Sequence, residues 1–337
     1  MEQRLDHRSS ASGAPPTNAA GDCEALQDML GAHRHRFSLS REPHICRSRW
    51  CRFLAVRAHS AAGRRARDDT ATAEGGVPLA FGVDIGATKW MVGTPAASEV
   101  TLLGHGATSD VPTHTLAAIR DVIAASRGDA AEPCRIVVAF AGATDEAGRV
   151  TGWPNRPTWL GYVLNQPLGS LRADIAIVDD GYAAALGQIP LVRSHGGTAF
   201  VLALGSGIGG ALVYEGRPVC PKGRGACTIG HISALRSNRR CRCGSRGCLQ
   251  TALETLPHAT AGCDALAWDE GKELFDRLSE ILAAIGVSHL IVCGGLAERP
   301  DVRAAVGGWC RANSLSCSFP AKPATSSLAG ACLGAAA

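Results

Sequence analysis

Residues 79–92 read Leu-Ala-Phe-Gly-Val-Asp-Ile-Gly-Ala-Thr-Lys-Trp-Met-Val, in which two apolar stretches flank a glycine turn. The apolar stretches predict two buried β-strands that meet at this turn. In the turn, Gly86 lets the backbone approach an anion, Thr88 offers a hydroxyl group and Lys89 offers a positive charge. Asp84, at the end of the first strand, is placed to hold Mg²⁺ through water. The stretch is therefore a candidate phosphate site, although a glycine hairpin beside an aspartate also occurs as a purely structural turn.

Two further glycine turns follow strand-like segments. Residues 204–210 read Leu-Gly-Ser-Gly-Ile-Gly-Gly, a glycine density that exceeds what a plain hairpin needs. We interpret this turn as a second phosphate cradle, with a structural hairpin as the alternative. Its candidate phosphate-binding residues are Gly205, Ser206 and Gly207. The third turn contains Gly294 and Gly295, and it offers backbone against which a nucleotide base or ribose can lie.

Between these turns, apolar segments alternate with segments of helical periodicity. This order predicts an α/β protein, and the hairpins at the glycine turns predict mixed rather than all-parallel sheets. Three glycine turns at strand ends suggest two facing lobes that clamp a nucleotide. The predicted strands are 79–84, a second strand that runs from the first turn through 92, and then 135–140, 174–178, 199–204, 208–214 and 289–293. The predicted helices are 114–126, 182–186, 269–285 and a segment from about 301.

Asp179 and Asp180 directly follow a predicted strand and precede a predicted helix. Transfer of a phosphoryl group to an alcohol needs a base for the hydroxyl proton, and a carboxylate between two phosphate turns is well placed for that role. Aspartate is also a common helix N-cap. From the residues alone, a catalytic Asp180 and a capping pair are equally supported.

A cluster of metal-binding residue types follows the second turn. His231 precedes Cys241, Cys243 and Cys248, and one imidazole with three thiolates suits tetrahedral Zn²⁺. Four protein ligands leave no open position for a water molecule, so we expect a structural rather than a catalytic zinc site. The alternative is a loop of free thiols, which would be prone to oxidation.

The composition excludes several classes of protein. The chain has 337 residues, of which 46% are hydrophobic and 19% charged, with a net charge of +4. Residues 1–75 hold 12 Arg against nine acidic residues, and most of the net positive charge therefore lies there. The rest of the chain is almost neutral and lacks the positive charge needed to bind the phosphates of nucleic acid. No apolar run long enough to span a membrane and no secretory leader are seen. Fourteen cysteines are scattered along the chain, and outside the cluster we read them as buried apolar residues of a cytoplasmic protein.

Residues 1–78 show no sustained periodicity and contain no recognisable helix-turn-helix. We expect this segment to be a disordered extension or sequence upstream of the true start. The other expected divisions are a small lobe at 79–178, a large lobe at 179–325 and a C-terminal helix at 326–337 that returns to the small lobe.

The order of these motifs from residue 80 to residue 336 resembles the ROK family of bacterial sugar kinases and repressors. The resemblance implies an actin-like, ribonuclease-H-like ATPase fold, with ATP and Mg²⁺ as cofactors and a homodimeric assembly. It assigns the role of catalytic base to Asp180. It also implies that Asn155 contacts the sugar and that His231 contacts the substrate as well as zinc.

The sequence departs from the family at three positions that normally contact sugar hydroxyls. Asp179 stands in place of Asn, while Thr228 and Gln250 stand in place of two Glu residues. Since the phosphate turns and the base are retained, a changed substrate explains this selective loss better than a degenerate enzyme does. We therefore expect a kinase for a sugar-like polyol. The C7-cyclitol kinases of aminocyclitol antibiotic pathways resemble the ROK family, and we name them as the specific candidate. The alternatives are an ordinary hexose or N-acetylhexosamine kinase, a sugar-responsive regulator, and a kinase that uses polyphosphate.

Overall fold

A computed structural model describes five segments of the chain. They are residues 79–96, 99–128, 132–219, 228–256 and 267–336. The interpretation of residues 1–78 as an extension lies outside these segments. Among the described residues, no helix combines the length and apolar character that crossing a bilayer would require.

The strands of the first sheet are β1 (Leu79–Ile85), β2 (Lys89–Pro95), β3 (Val100–Ala107), β4 (Cys134–Phe140) and β7 (Ala173–Asp179). Their order across the sheet is β3-β2-β1-β4-β7. Strands β1, β4 and β7 run parallel, whereas β1–β2 and β2–β3 pair antiparallel, so the sheet is mixed, in agreement with the sequence. The edge strand β3 was not predicted, because it is half exposed and lacks a clean alternation of apolar residues. A separate, small antiparallel pair comprises β5 (Ala143–Thr144) and β6 (Val150–Gly152).

Helix α1 (Pro112–Arg127) packs against one face of the first sheet. Its residues Leu116, Ile119 and Ile123 are fully buried, as the helical spacing predicts, and they join a core that includes Trp159. A short helix, α2 (Asn165–Leu168), leads through a 3₁₀ turn into β7.

The second sheet has the order β10-β9-β8-β11-β12. The predicted hairpin of β8 (Ala199–Leu204) and β9 (Ile208–Tyr214) is confirmed, and β11 (His289–Cys293) runs parallel to β8. Short edge strands, β10 (Arg217–Pro218) and β12 (Ser316–Ser318), complete the sheet. The helices that belong to this half are α3 (Asp180–Gly187), α4 (Ile189–Ser194), α5 (Asp269–Ala284) and α6 (Pro300–Ala312).

The last helix, α7 (Ser326–Ala336), packs against β1 and β4 of the first sheet and against α3. The approach is close, since a Cβ atom at Gly82 would lie 2.5 Å from the Cys332 sulfur and one at Gly330 would overlap the Ala183 carbonyl. Small residues therefore allow α7 to pack where α3 begins. This packing holds the Asp179–Asp180 pair between the two sheets.

Candidate active site and metal centre

All the site residues predicted from the sequence lie among the described residues. The first turn is closed by backbone hydrogen bonds, with the Gly86 amide donating to the Lys89 carbonyl at 2.9 Å. Thr108 supports it from the segment after β3, because its hydroxyl donates to the Gly86 carbonyl at 2.7 Å. The side chains of Thr88 and Lys89 are exposed. The turn is thus held by a backbone hydrogen bond and by Thr108, which leaves the side chains of Thr88 and Lys89 accessible to an anion.

Strand register brings Asp84 and Asp180 to one edge of the first sheet. Ile85 on β1 is level with Phe140 on β4, and Phe140 is level with Asp179 on β7. The carboxyl ends of three parallel strands therefore meet at this edge, the usual position of ligand sites in α/β sheets.

The structure separates the roles of the two neighbouring aspartates. Asp179 is the N-cap of α3, because its carboxylate accepts the Tyr182 amide at 3.0 Å. Asp180 is the first residue of α3, and its carboxylate accepts the Gly181 amide at 2.8 Å. The Ser327 hydroxyl of α7 donates to the Asp180 carbonyl at 3.1 Å. Asp179 therefore caps the helix. Asp180 is held at its carboxylate by the Gly181 amide and at its carbonyl by the Ser327 hydroxyl.

Asp180 and Asp84 both hold their protons more tightly than an exposed carboxyl group does. Burial raises the pKa of Asp180 to about 7, and the charges of Asp179 and Asp84 contribute to that rise. Burial also raises the pKa of Asp84 to about 7, against the opposing charge of Lys89. Hard carboxylate oxygens that repel each other fit a divalent cation such as Mg²⁺. Asp180 titrates in the range where a carboxylate serves as a general base at neutral pH.

The second turn lies directly beside Asp180. A Cβ atom at Gly209 would be 3.8 Å from the Asp180 Oδ1 atom, and one at Gly207 would be 3.4 Å from Gln250 Oε1 and 3.9 Å from Asn155 Nδ2. Ser206, at the tip of the turn, is exposed. The structure thus brings together the candidate base, one phosphate turn and two of the candidate sugar contacts.

The third glycine turn, at Gly294 and Gly295, lies against the end of strand β8. Gly294 has a φ of 88°, and a Cβ atom there would collide with the Leu204 backbone, so only glycine is tolerated without strain. Its amide donates to the Pro323 carbonyl at 2.8 Å. Gly295 is exposed at the start of a 3₁₀ turn. The second and third turns therefore meet at the ends of β8 and β11.

The candidate sugar contacts are tied to the cysteine loop. Gln250 donates from Nε2 to the Cys241 sulfur at 3.3 Å. Arg242, which the sequence analysis missed, donates to Asn155 Oδ1 at 3.4 Å. Thr228 is exposed, and its carbonyl accepts the amide of His231, which is half-buried, at 2.8 Å. No sequence pattern pointed to the Arg242 contact, because Arg242 and Asn155 are 87 positions apart.

His231, Cys241, Cys243 and Cys248 converge as the sequence predicts. Their ligand atoms all lie within 4.8 Å of one another. The Cys243 and Cys248 sulfurs are 3.7 Å apart, and the Cys241 sulfur is 3.5 Å from His231 Nδ1. A tetrahedron with Zn–S bonds of about 2.3 Å and Zn–N bonds of about 2.0 Å has edges of roughly 3.5–3.8 Å. The donor set and these two distances fit zinc.

Comparison with known proteins agrees with this arrangement. The model of the ROK family matches residues 80–255. Kanosamine kinase from Amycolatopsis mediterranei is 37% identical over 189 residues, which cover 54% of this chain and 61% of that protein. Glucokinase from Thermotoga maritima is 29% identical over 192 residues, which cover 54% of this chain and 57% of that protein. The matched region therefore spans about six-tenths of each relative.

A solved structure shows the fold. The ROK family glucokinase from Streptomyces griseus, in complex with glucose and AMPPNP, superposes with a TM-score of 0.61 at 19% identity, over 76% of this chain and 99% of that chain. The predicted actin-like α/β fold with mixed sheets is confirmed.

Proposed function

The chain belongs to the ROK family, and on that premise we propose that it is an ATP-dependent kinase that phosphorylates a hydroxyl group, of primary type, on a sugar or a sugar-like cyclitol. The observation that carries the proposal is the position of Asp180, beside the second phosphate turn and at the same sheet edge as Asp84. Its relatives named as kanosamine kinase and glucokinase support the same chemistry.

Asp180 supplies the base in this proposal. Phosphoryl transfer asks little covalent chemistry of the protein, but it needs a base for the hydroxyl proton and in-line placement. A carboxylate with a pKa near 7 accepts a proton at neutral pH and releases it again to solvent. The bond from Ser327 and the start of α3 hold Asp180 while the substrate approaches.

The phosphate groups would lie between the glycine turns. Thr88 and Lys89 of the first turn, and Gly205, Ser206 and Gly207 of the second, would bind phosphoryl oxygens, and Gly86 would let the backbone of the first turn approach them. The exposed side chains of Thr88, Lys89 and Ser206 support this assignment. Gly294 and Gly295 would lie against the nucleoside. Asp84 would hold Mg²⁺ through water, and the ion would offset the charge of the phosphoryl oxygens. The lobes of the proposal are residues 79–178 and 179–325, with 326–337 as the C-terminal helix that returns to the small lobe.

Recognition of the acceptor falls to Asn155, Asp179, Thr228, His231 and Gln250. Gln250 can donate to the Cys241 sulfur because it carries an amide, whereas a glutamate would face a thiolate with like charge. The substitution thus turns the Gln250 carbonyl oxygen toward the glycine turn at Gly207. A rewritten set of donors and acceptors selects a different pattern of hydroxyl groups, which favours a cyclitol or modified sugar over glucose.

The cysteine loop would bind zinc as a structural clip. With His231, Cys241, Cys243 and Cys248 as ligands, no coordination position is left for water. The ion would fix the loop from which Gln250 and Arg242 reach the acceptor residues. We further propose a homodimer in the cytoplasm, and light scattering of the purified protein tests the dimer.

Two readouts test the proposal: release of ADP from ATP–Mg²⁺, and the mass of the phosphorylated acceptor when polyphosphate replaces ATP. The acceptor panel contains C7-cyclitols, kanosamine, glucose and N-acetylmannosamine, with polyphosphate as a second donor and Asp180→Asn as the control variant. Strong turnover on a cyclitol or on kanosamine, with glucose near background, supports the changed substrate. Preference for glucose would identify an ordinary hexose kinase, and activity only with polyphosphate would correct the donor. Absence of transfer to every acceptor would refute the kinase and favour the regulator.

A further inference from the structure

The loop from Trp153 to Trp159 is anchored at both ends in the core of the first sheet. Both indoles are buried, and their rings meet edge to face with centres 4.9 Å apart. The Trp153 ring also packs at 4.6 Å against Phe140, the last residue of β4. The Trp159 Nε1 atom donates to the Ser109 carbonyl at 2.9 Å. Residues 154–158, which lie between these anchors, are partly or fully exposed.

Two consecutive residues of this loop reach the two phosphate turns. Asn155 lies beside the second turn, where a Cβ atom at Gly207 would be 3.9 Å from its Nδ2 atom. Arg156 binds the first turn, because its Nε atom donates to the Ala87 carbonyl at 2.7 Å. The Arg156 Nη1 atom also donates to Asp110 Oδ1 at 2.6 Å, on the segment that follows β3. One short loop is therefore bonded to the first turn and lies against the second.

Arg156 joins three segments that are distant in sequence. The segment after β3 is itself tied to the first turn, since the Thr108 amide donates to the Thr88 carbonyl at 3.1 Å. Pro157 disfavours a helical backbone at the residue before it, and Arg156 has a φ of −143° and a ψ of 67°. The planar guanidinium presents its N–H donors in fixed directions, so this one side chain binds a carbonyl and a carboxylate together. A lysine would keep the charge but not this fork of donors.

The ion pair with Asp110 does not by itself account for this arrangement. The Asp110 side chain is 73% exposed, and ion pairs with exposed carboxylates add little to stability. The Arg156 side chain is only 18% exposed, and its Nε atom is bonded to the backbone of the first turn. That turn is already closed by the bond from the Gly86 amide to the Lys89 carbonyl. Arg156 therefore adds a fixed position of the turn relative to the loop.

We propose that Arg156 is a positioning residue for phosphoryl transfer, which holds the loop that carries Asn155 at a fixed distance from the first phosphate turn. The inference rests on the proposed kinase function. The link fixes the acceptor, bound at Asn155, relative to the phosphoryl group, bound at the turns. Transfer requires the reacting atoms to be aligned and about 3–3.5 Å apart, and a misplacement of about 1 Å lowers its rate by about 10²-fold.

Loss of this link should favour water as the acceptor. In the productive reaction, the acceptor oxygen forms a bond to the γ-phosphorus, the bond from that phosphorus to ADP breaks, and the hydroxyl proton passes to Asp180. In the competing reaction, water supplies the attacking oxygen and the products are ADP, inorganic phosphate and a proton. Water does not depend on Asn155 for its position, so a displaced loop slows the productive reaction more than the competing one.

The ratio of inorganic phosphate to phosphorylated acceptor tests the proposal, because this ratio does not depend on the fraction of active protein. The full-length protein receives ATP–Mg²⁺ with C7-cyclitols, kanosamine, glucose and N-acetylmannosamine in turn, and phosphorus NMR measures both products. Arg156→Lys keeps the charge but cannot bind both partners, so we expect it to raise the ratio at least tenfold. Binding of AMPPNP–Mg²⁺, measured by calorimetry, should change by less than threefold, since the first turn keeps its own backbone bond.

Arg149→Lys is the matched control, because Arg149 also donates to a backbone carbonyl, that of Gly161 at 2.8 Å, but outside the phosphate turns. Its ratio should equal that of the wild type. If circular dichroism shows that Arg156→Lys does not fold, Asp110→Asn takes its place, since it removes only the exposed end of the link, and it should raise the ratio about threefold.

Two outcomes overturn the positioning role alone, provided that the wild-type protein phosphorylates an acceptor. One is an unchanged ratio in folded Arg156→Lys, or in Asp110→Asn where that variant replaces it. The other is an equal rise in Arg149→Lys. A wild-type protein that phosphorylates none of the acceptors overturns the proposed kinase function, and this inference with it.

Discussion

Replacing Asp180 by Asn should stabilise the nucleotide-free protein at pH 8 while lowering the rate of phosphoryl transfer. The substitution keeps the shape of the side chain and an oxygen that can accept the Gly181 amide. It removes a negative charge that lies near Asp179 and Asp84. A residue held for catalysis at the expense of stability should respond in this way.

The magnitude follows from the pKa of Asp180. A rise from 3.8 to about 7 means that ionisation in the folded state costs at most about 4 kcal/mol at pH 8. The Asp180 side chain is only partly buried. Part of the rise in its pKa comes from the charges of Asp179 and Asp84 and not from burial. We therefore expect a gain of about 1–2 kcal/mol, or about 3–6 °C in the melting temperature.

The effect has a defined dependence on pH. The folded protein keeps the Asp180 proton up to about pH 7, whereas the unfolded chain loses it near pH 3.8. The wild-type protein thus loses stability as the pH rises between these values, and the loss levels off above them. Asp180→Asn lacks this contribution, so its advantage over the wild type should be largest at pH 8 and shrink toward pH 4.

Thermal unfolding followed by circular dichroism at pH 8, 7, 6 and 5, without nucleotide or Mg²⁺, measures the stability. Release of ADP from the same preparations should fall by about 10²–10⁴. Asp174→Asn is the matched control, because Asp174 lies on the same strand but is exposed and should change stability by less than about 0.5 kcal/mol. A variant less stable than the wild type at pH 8, or a gain that is equal at pH 5 and pH 8, would refute the reasoning.

Three further predictions concern other parts of the molecule. Asp179→Asn keeps a good N-cap but removes a charge beside Asp180, so the acid limb of the pH–rate profile should move to lower pH; an unmoved limb would show that the two carboxylates do not interact. Cys243→Ser should release zinc, measured by atomic absorption against the wild type, and lower the melting temperature; retained zinc with full stability would contradict the site. His289 is buried against His195, with ring centres 4.0 Å apart, and burial with the His195 charge lowers its pKa to about 4. Stability should therefore fall by about 2–3 kcal/mol as the pH drops from 6.5 to 4, and His289→Leu should remove that fall in urea unfolding experiments.

The regular elements that bury a full face could be read from the sequence. Strand β1 and helix α5 appear at their predicted positions within one or two residues, because long apolar runs and strong helical periodicity are dominated by burial. Strands β3 and β12 could not be found in this way. They lie at sheet edges, where one side faces solvent and the residue pattern weakens.

The candidate sites also differ in how far they could be predicted from the sequence. The spacing of Cys241, Cys243 and Cys248 within one loop is enough to indicate a metal site, since neighbours in sequence are forced to be neighbours in space. The Arg242 contact with Asn155 had no such signal, because its two residues come from distant segments. Contacts of that kind exist only when loops are brought together by the packing of the sheets.

Local features, namely the glycine turns, the candidate metal ligands and the strand–helix order, are written in short segments of this chain, because they depend on backbone freedom and on residues a few positions apart. The proton affinity of Asp180 is not written there. It depends on burial and on the charges of Asp179 and Asp84, which parallel strand register brings to one edge of the first sheet. Electrostatic interactions act through space rather than along the chain, so this property arises only where the fold places the groups side by side.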